Sequence, residues 1–492
     1  MRGLGRLLGW GWVLARADAL LPREVAPLLP APLRLAGGAV RLVARRDPRR
    51  PGQRLADALE RLGPVAIKLG QLLSTRADIF GEVFATDLSH LKDRLPAFPQ
   101  AEAEAVVAAE LGRPLASLYA RFGAPVAAAS LAQAHEAELL DGRRVAVKVL
   151  RPGVERRVAA DLRAMALAAR LVDRLAPPAR RLQPPALVAT VADAMRQELD
   201  LRIEAASASE VTEHGGADGW ITAPAVIWEG VGRRVLTTEW AQGAPLSDPA
   251  ALLDPALDRA GLARNLLRGF LSQALEHGAF HADLHEGNLF AVAPDRLVAV
   301  DFGIVGRLGE NERRWFAQIL WGFLRRDYRR VAEIHFEAGY VPATQNVEAF
   351  ARALRAVGEP IFGRTAADVS MARLLTQLFE VTAAFEMALR PELVLLQKTR
   401  VTVEGVARRL DPGVDIWATS QPVVERVIRR ELNPVLQARR LADRFDRALA
   451  GLERMSTSAA PVAARRESRL WPALALLLSG VAAVLAAVAL FR

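Results

Sequence analysis

The stretch His281-Ala-Asp-Leu-His-Glu-Gly-Asn288, followed by Asp301-Phe-Gly303, constrains this chain more than any other feature. Between Asn288 and Asp301 lie two short apolar runs, Leu289 to Ala293 and Leu297 to Val300, separated by Ala-Pro-Asp-Arg turn chemistry. Together they read as a β-hairpin. An antiparallel hairpin returns its ends to one place, so the spacing predicts Asn288 and Asp301 side by side. A side-chain carbonyl and a carboxylate presented together are hard oxygen ligands suited to Mg²⁺ carrying nucleotide phosphates. Asp283 then stands five residues before Asn288, where an aspartate can orient an acceptor hydroxyl or a water.

A kinase-type nucleotide site also needs a cation on the α/β-phosphates, and Val145-Ala-Val-Lys148 supplies one at the end of an apolar strand pattern. An edge-strand lysine kept for solubility is the rival reading. It is weakened within the chain itself, because only four of the 65 basic residues are lysine: Lys68, Lys92, Lys148 and Lys398. A retained lysine points to a place where a compact ammonium is needed and a guanidinium does not fit. A carboxylate from a helix should hold Lys148, and Gln197 to Glu204 offers Glu198, Asp200 and Glu204. Read as one helix, this stretch puts Asp200 and Glu204 on one face and Glu198 well round from Asp200. Lys68-Leu-Gly-Gln71 places two long polar side chains on one helical face among Ile67, Leu69 and Leu72. That face either covers something polar or carries a snorkelling lysine.

Length and composition set the organisation. At 492 residues and 51% hydrophobic content, two or three folded units are expected. With no cysteine, disulfides, thiolate zinc sites and thiol catalysis are excluded. The chain divides into an amphipathic leader (1–50), a helical extension (51–120) and a strand-bearing lobe (121–243). A mostly helical lobe (244–415), a helical tail and spacer (416–469) and an apolar terminus (470–491) follow. The Asp141-Gly142 turn between Gln133 to Leu140 and Arg143 to Leu150 signals a hairpin. A second strand pair is expected at Ala225 to Glu229 and Arg233 to Trp240, ending at a hinge over Ala241-Gln-Gly243.

Leu470 to Phe491 runs 22 residues without a charged side chain, which as a helix spans roughly 33 Å, about the hydrocarbon thickness of a bilayer. Arg465, Arg466 and Arg469 precede it and Arg492 alone follows, so the positive-inside rule puts the bulk of the protein in the cytoplasm. The expectation is a single-pass inner-membrane protein. Leu4 to Leu21 is interrupted by Arg6, Arg16 and Asp18 and does not read as a signal peptide; it fits a membrane surface or an ordinary packed helix equally well. The net charge of +10 is a modest excess whose expected partner is anionic phospholipid, with no nucleic acid.

With these motifs in view the chain resembles the UbiB/AarF family of atypical kinases, which includes the ADCK-type proteins. The resemblance covers residues 55 to 415. It is carried by the KxGQ tetrapeptide Lys68 to Gln71, the alanine-rich Ala127-Ala128-Ala129-Ser130, Val145 to Lys148, Glu198 and Asp200 with Glu204, His281 to Asn288, and Asp301 to Gly303. It implies an α+β, two-lobed protein-kinase-like fold with an N-terminal helical KxGQ extension, completed here by the expected C-terminal transmembrane helix. By resemblance, Lys148 pairs with Glu204, Asp283 is the catalytic position, and Asn288 with Asp301 holds the metal. Lys68, Gln71, Glu198 and Asp200 gate the cleft, and Ala127 to Ser130, Lys148 and Glu239 contact the nucleotide. The implied cofactors are ATP and Mg. The implied activity is that of an atypical kinase or ATPase supporting ubiquinone biosynthesis, with prenylphenol or quinone precursors and other enzymes of that synthesis as partners. The chain itself adds that no glycine lies between Gly123 and Gly142, so the loop over the phosphates lacks free access to positive φ. Nor does an Ala-Pro-Glu element closely follow Asp301. A small acceptor is therefore expected rather than a protein, with a nucleotide-binding scaffold and a protein kinase with an occluding lid as alternatives.

Overall fold

The turn at Asp141-Gly142 builds the first hairpin. Strands β2 (Ala132–Leu139) and β3 (Arg144–Leu150) pair antiparallel with Ala134 opposite Lys148, and Gly142 adopts a φ of +85° that suits glycine. Strand β1 (Tyr119–Ala128), which starts two residues ahead of the strand-bearing lobe expected over 121–243, pairs with β2. Strand β5 (Val235–Glu239) pairs with β3, so the sheet order is β1-β2-β3-β5. Side chains alternate across a strand. Val145, Val147 and Val149 therefore pack with Ala103, Val106 and Val107 of the covering helix α5 (Gln100–Leu111), while Lys148 projects from the other face.

The computed structural model describes residues 2–19, 47–74, 81–89, 96–175, 183–360 and 391–431, with a few isolated positions between them. Met1–Ile428 group as one compact unit and Arg429–Arg492 as another. Ahead of the sheet, α1 (Arg2–Arg16), α2 (Pro51–Leu62), α3 (Pro64–Ser74) and α4 (Glu82–Ser89) gather round Leu55, Leu59, Ile67, Phe84 and Leu88. Helices α6 (Val154–Leu175) and α7 (Pro184–Glu198) pack through Val158, Met165, Val191 and Met195, in one cluster with Val65 of α3.

Two expectations are corrected here. Gln197 to Glu204 is not one helix: α7 ends at Glu198, and α8 (Leu201–Asp218) starts anew with Asp200 as its N-cap, accepting from the Arg202 amide at 3.2 Å. Nor is Ala225 to Glu229 a strand. After a single bridge from Val226 to Thr238 the chain turns over Trp228–Gly230. The Gly230 and Val231 amides there donate back to the Ile227 and Trp228 carbonyls at 2.8 and 3.2 Å, and the Gly230 carbonyl accepts from the Thr237 hydroxyl at 2.9 Å.

The second lobe is built on α9 (Arg259–Ser272), whose Leu262, Leu266 and Phe270 pack with Phe280, Leu284, Leu289 and Leu297. Strands β8 (Leu289–Val292) and β9 (Arg296–Ala299) form the expected hairpin, with Leu289 opposite Ala299. They lie between β4 (Ile221–Thr222), parallel to β9, and β6 (Ala244–Pro245). Strands β7 (Ala279–His281) and β10 (Val305–Arg307) pair as a separate ribbon, Val305 opposite His281. Helices α10 (Glu310–Leu324), α11 (Tyr328–Glu337), α12 (Val347–Gly358), α13 (Pro391–Leu410) and α14 (Ile416–Glu431) complete the described chain. Among the described residues no helix is long and apolar enough to cross a membrane. The expected span at 470–491 and most of the 416–469 tail lie outside them.

Candidate active site

Three chain segments meet at Lys148. Its ammonium donates to Glu204 at 2.8 and 2.9 Å, and to Asp301 at 2.7 Å. Strand alternation aims the lysine, and the break before α8 sets Glu204 in that helix's first turn, facing it. Burial disfavours the Lys148 charge, yet the facing carboxylates of Asp301 and Glu204 outweigh it and raise the pKa above the ordinary lysine value. Burial pushes Glu204 up to about 7 against the pull of Lys148. The Lys148 charge holds Asp301 down at about 2. Asp301 has a φ of +64°, a left-handed conformation that aspartate tolerates better than most residues and that is concentrated at functional sites.

The loop carrying Asp283 is fixed by a closed set of hydrogen bonds. The buried His281 accepts from the Asp283 amide at Nδ1, 3.1 Å away, so Nε2 carries the hydrogen and donates to the Val300 carbonyl at 3.0 Å. Burial lowers the His281 pKa and keeps the ring neutral, as this arrangement requires. Asn288 donates through Nδ2 to the Asp283 carbonyl at 3.0 Å, and the Val300 amide donates to the Asn288 carbonyl at 2.9 Å. Asp283, Asn288 and Asp301 are thus held in one frame. Asp283 itself is part-exposed, with His285 Nε2 at 3.7 Å from its carboxylate.

With its amide nitrogen committed inward, Asn288 keeps its side-chain oxygen as an acceptor, and Asp301 supplies a second hard oxygen. Mg²⁺ bound with nucleotide needs only one or two protein ligands, so this pair fits the ion. Among the described residues no group of three or more His, Cys, Asp or Glu side chains could hold a metal.

The alanine-rich segment is the tight end of the β1–β2 hairpin. Ala127 lies opposite Ala134 and Ala128 opposite Gln133, the Ala129 amide donates to the Ala132 carbonyl at 2.8 Å, and Ser130 is buried. Arg151 pins the turn from below, donating to the Ala129 carbonyl at 2.8 Å and to the Pro96 carbonyl at 2.8 Å, with its guanidinium over Phe98. Sequence reading passed over Arg151; its place directly after the Lys148 strand was the available signal. Glu239 ends β5, and its carboxylate engages Arg143 at 3.3 Å. A nucleotide contact at this position would then fall to the Glu239 backbone.

On the gating side, Lys68 of α3 forms an ion pair with Glu198, both side chains largely covered. Gln71 lies on the same helix, partly buried. Asp200 differs from its expected partner group: it caps α8 and pairs with the Arg202 guanidinium at 2.6 Å. Lys398, another of the four lysines, is exposed on α13.

A strand lysine held by a helix carboxylate, opposite an Asp-Phe-Gly aspartate and a loop asparagine, defines a kinase-like protein. A profile of the ABC1 atypical kinase-like domain matches residues 90–335, and one of the UbiB helical domain matches 354–415. The chain belongs to the UbiB family of atypical kinases. It is 39% identical over 88% of its length to a probable protein kinase UbiB of Marinobacter nauticus, of which it covers 80%. It is 40% identical over 83% of its length to the probable protein kinase UbiB of Pseudomonas aeruginosa, of which it covers 78%. In fold it is similar to Rv3197 from Mycobacterium tuberculosis, solved in complex with erythromycin, with a TM-score of 0.52 over 74% of this chain and 93% of that one at 24% identity.

Proposed function

We propose that the protein is a membrane-anchored, Mg-ATP-dependent atypical kinase or ATPase that supports ubiquinone biosynthesis. The observation that carries the reading is Lys148 held between Glu204 and Asp301, above a loop whose hydrogen bonds fix Asp283 and Asn288. In this reading Lys148 binds the α/β-phosphates, with Ala127 to Ser130 and the Glu239 backbone around the nucleotide. Asn288 and Asp301 hold Mg²⁺, which when bound neutralises phosphate charge. Asp283 orients the acceptor through its part-exposed carboxylate. Lys68 and Glu198, with Gln71 and Asp200 nearby in sequence, form a lid. A latched lid favours water or a small lipid-borne group over a protein hydroxyl as acceptor. Inner-membrane anchoring rests on the 470–491 segment. Anionic lipid as a partner is supported by α1, which has no acidic residue and exposes Leu8 and Trp12 one helical turn apart.

The test is ADP release by full-length protein with Mg²⁺, with and without anionic vesicles and a prenylphenol, beside Asp283→Asn and Asp301→Asn. Turnover that depends on both aspartates and rises with vesicles is expected. Equal turnover in wild type and Asp301→Asn overturns the enzymatic reading. Nucleotide binding without release would favour a scaffold, and Asp283-dependent labelling of added proteins would favour a protein kinase.

A further inference from the structure

The peptide bond between Ala282 and Asp283 is held on both sides. Its N–H donates to His281 Nδ1 at 3.1 Å, and its carbonyl accepts from the Thr399 hydroxyl at 3.0 Å. Thr399 belongs to α13, within the UbiB helical domain and outside the residues matched by the kinase-like domain. A buried helix threonine ordinarily satisfies its hydroxyl on its own carbonyl four residues back. Thr399 has that acceptor too, Leu395 at 2.8 Å. Its single hydrogen therefore forks between its own helix and the peptide bearing Asp283.

The surroundings keep this contact rigid. Thr399 is 1% exposed, and Leu396 and Val403 of the same helix pack in one core cluster with Ala282, Leu284 and Phe302. Ten residues on, Arg409 closes a second contact with the same loop, its Nε 2.5 Å from Glu286. Helix α13 thus touches the loop just before Asp283 and again just after it. Rotating the Ala282–Asp283 peptide would swing the Asp283 side chain, and the His281 bond alone restrains only the N–H end.

We infer that Thr399 is a positioning residue for Asp283, through which the helical domain forms part of the active-site frame. The kinetic half of this inference rests on the phosphoryl-transfer reading above, and the structural half stands without it.

The experiment compares Thr399→Val, which keeps shape and removes the hydroxyl, with Thr399→Ser, which keeps the hydroxyl. Turnover and the KM for ATP are measured on the full-length protein, together with hydrogen exchange of the peptide spanning residues 279–289 and the thermal midpoint. Thr399→Val should lower kcat about tenfold with the KM for ATP within about twofold of wild type, and speed exchange in that peptide; Thr399→Ser should restore both. Unchanged kcat and exchange in Thr399→Val overturn the inference. So do equal defects in the two variants, or losses that merely follow a lowered midpoint, since these are effects of packing. If wild-type turnover is itself independent of Asp301, the enzymatic reading fails, and the contrast in exchange still decides the role of Thr399.

Discussion

The Lys148 ammonium lies 2.7 Å from Asp301 and 2.8 Å from Glu204, bridging two carboxylates that are about a hundred residues apart in the chain. Glu204 is almost wholly buried, so Lys148 is the group that makes a charge there tolerable. Removing one partner of such a pair costs more than removing both. Lys148→Met should destabilise the protein by about 2 kcal/mol, below the usual range for fully buried pairs because Glu204 can take up a proton. Adding Glu204→Gln should recover most of the loss. Urea midpoints of the two singles and the double give the comparison, and purely additive losses would show the pair to be energetically uncoupled.

Lys68 and Glu198 join α3 to the end of α7, and both are largely covered. If the pair latches a lid, breaking it from either side has one consequence. Lys68→Ala and Glu198→Ala should change ATP turnover in the same direction and by similar factors, and the double variant should match the singles within about twofold. Multiplying effects would mean that the two residues act separately. The double variant is the deciding measurement.

Arg151 uses its fork on two carbonyls, Ala129 and Pro96, and its face on Phe98. A lysine cannot reproduce that planar geometry. Arg151→Lys should leave the thermal midpoint nearly unchanged, since the side chain is only part-buried. It should weaken nucleotide binding by about threefold to tenfold by loosening the alanine turn. Titration calorimetry with Mg-nucleotide measures this directly; unaltered affinity would mean that the turn is held by its own Ala129–Ala132 bond.

What could be read from the sequence was local chemistry with a fixed period or turn. The two hairpins followed from Asp141-Gly142 and from the apolar runs flanking residues 293–296, and their registers bring Lys148 and Asp301 to the cleft. The start of α8 was hidden because Gln197 to Glu204 carries no proline or glycine. At the break, the Asp200 side chain accepts from the backbone amide of Arg202, an N-cap bond that competes with helix continuation. Ala225 to Glu229 fails as a strand because its last residues enter the turn Trp228–Gly230, which the Thr237 hydroxyl closes, and Thr399 matters through a residue 117 positions away. Neither contact leaves a periodic trace.

Buried histidines weaken the fold in acid, and His335 is the simplest case. It sits in α11 against Phe350, with Nδ1 donating to the Val331 carbonyl at 2.7 Å. Burial lowers its pKa below the ordinary 6.5, opposed only by that backbone bond and by no charged neighbour. Above pH 6.5 the ring is neutral in folded and unfolded chains alike and contributes no pH dependence. Below it the unfolded chain takes up the proton first, so stability falls with pH until the folded value is reached, at up to about 1.4 kcal/mol per pH unit for each such group. Buried His135 and His281 shift in the same direction for the same leading reason. These three rings therefore drive a decline in the urea midpoint between about pH 6.5 and 5, against an opposite trend from Glu204, whose raised value of about 7 means that the folded chain takes up that proton first. His335→Gln should make that decline shallower whatever it does to the midpoint at pH 8. An unchanged slope would mean that the folded protein protonates His335 as readily as the unfolded chain does.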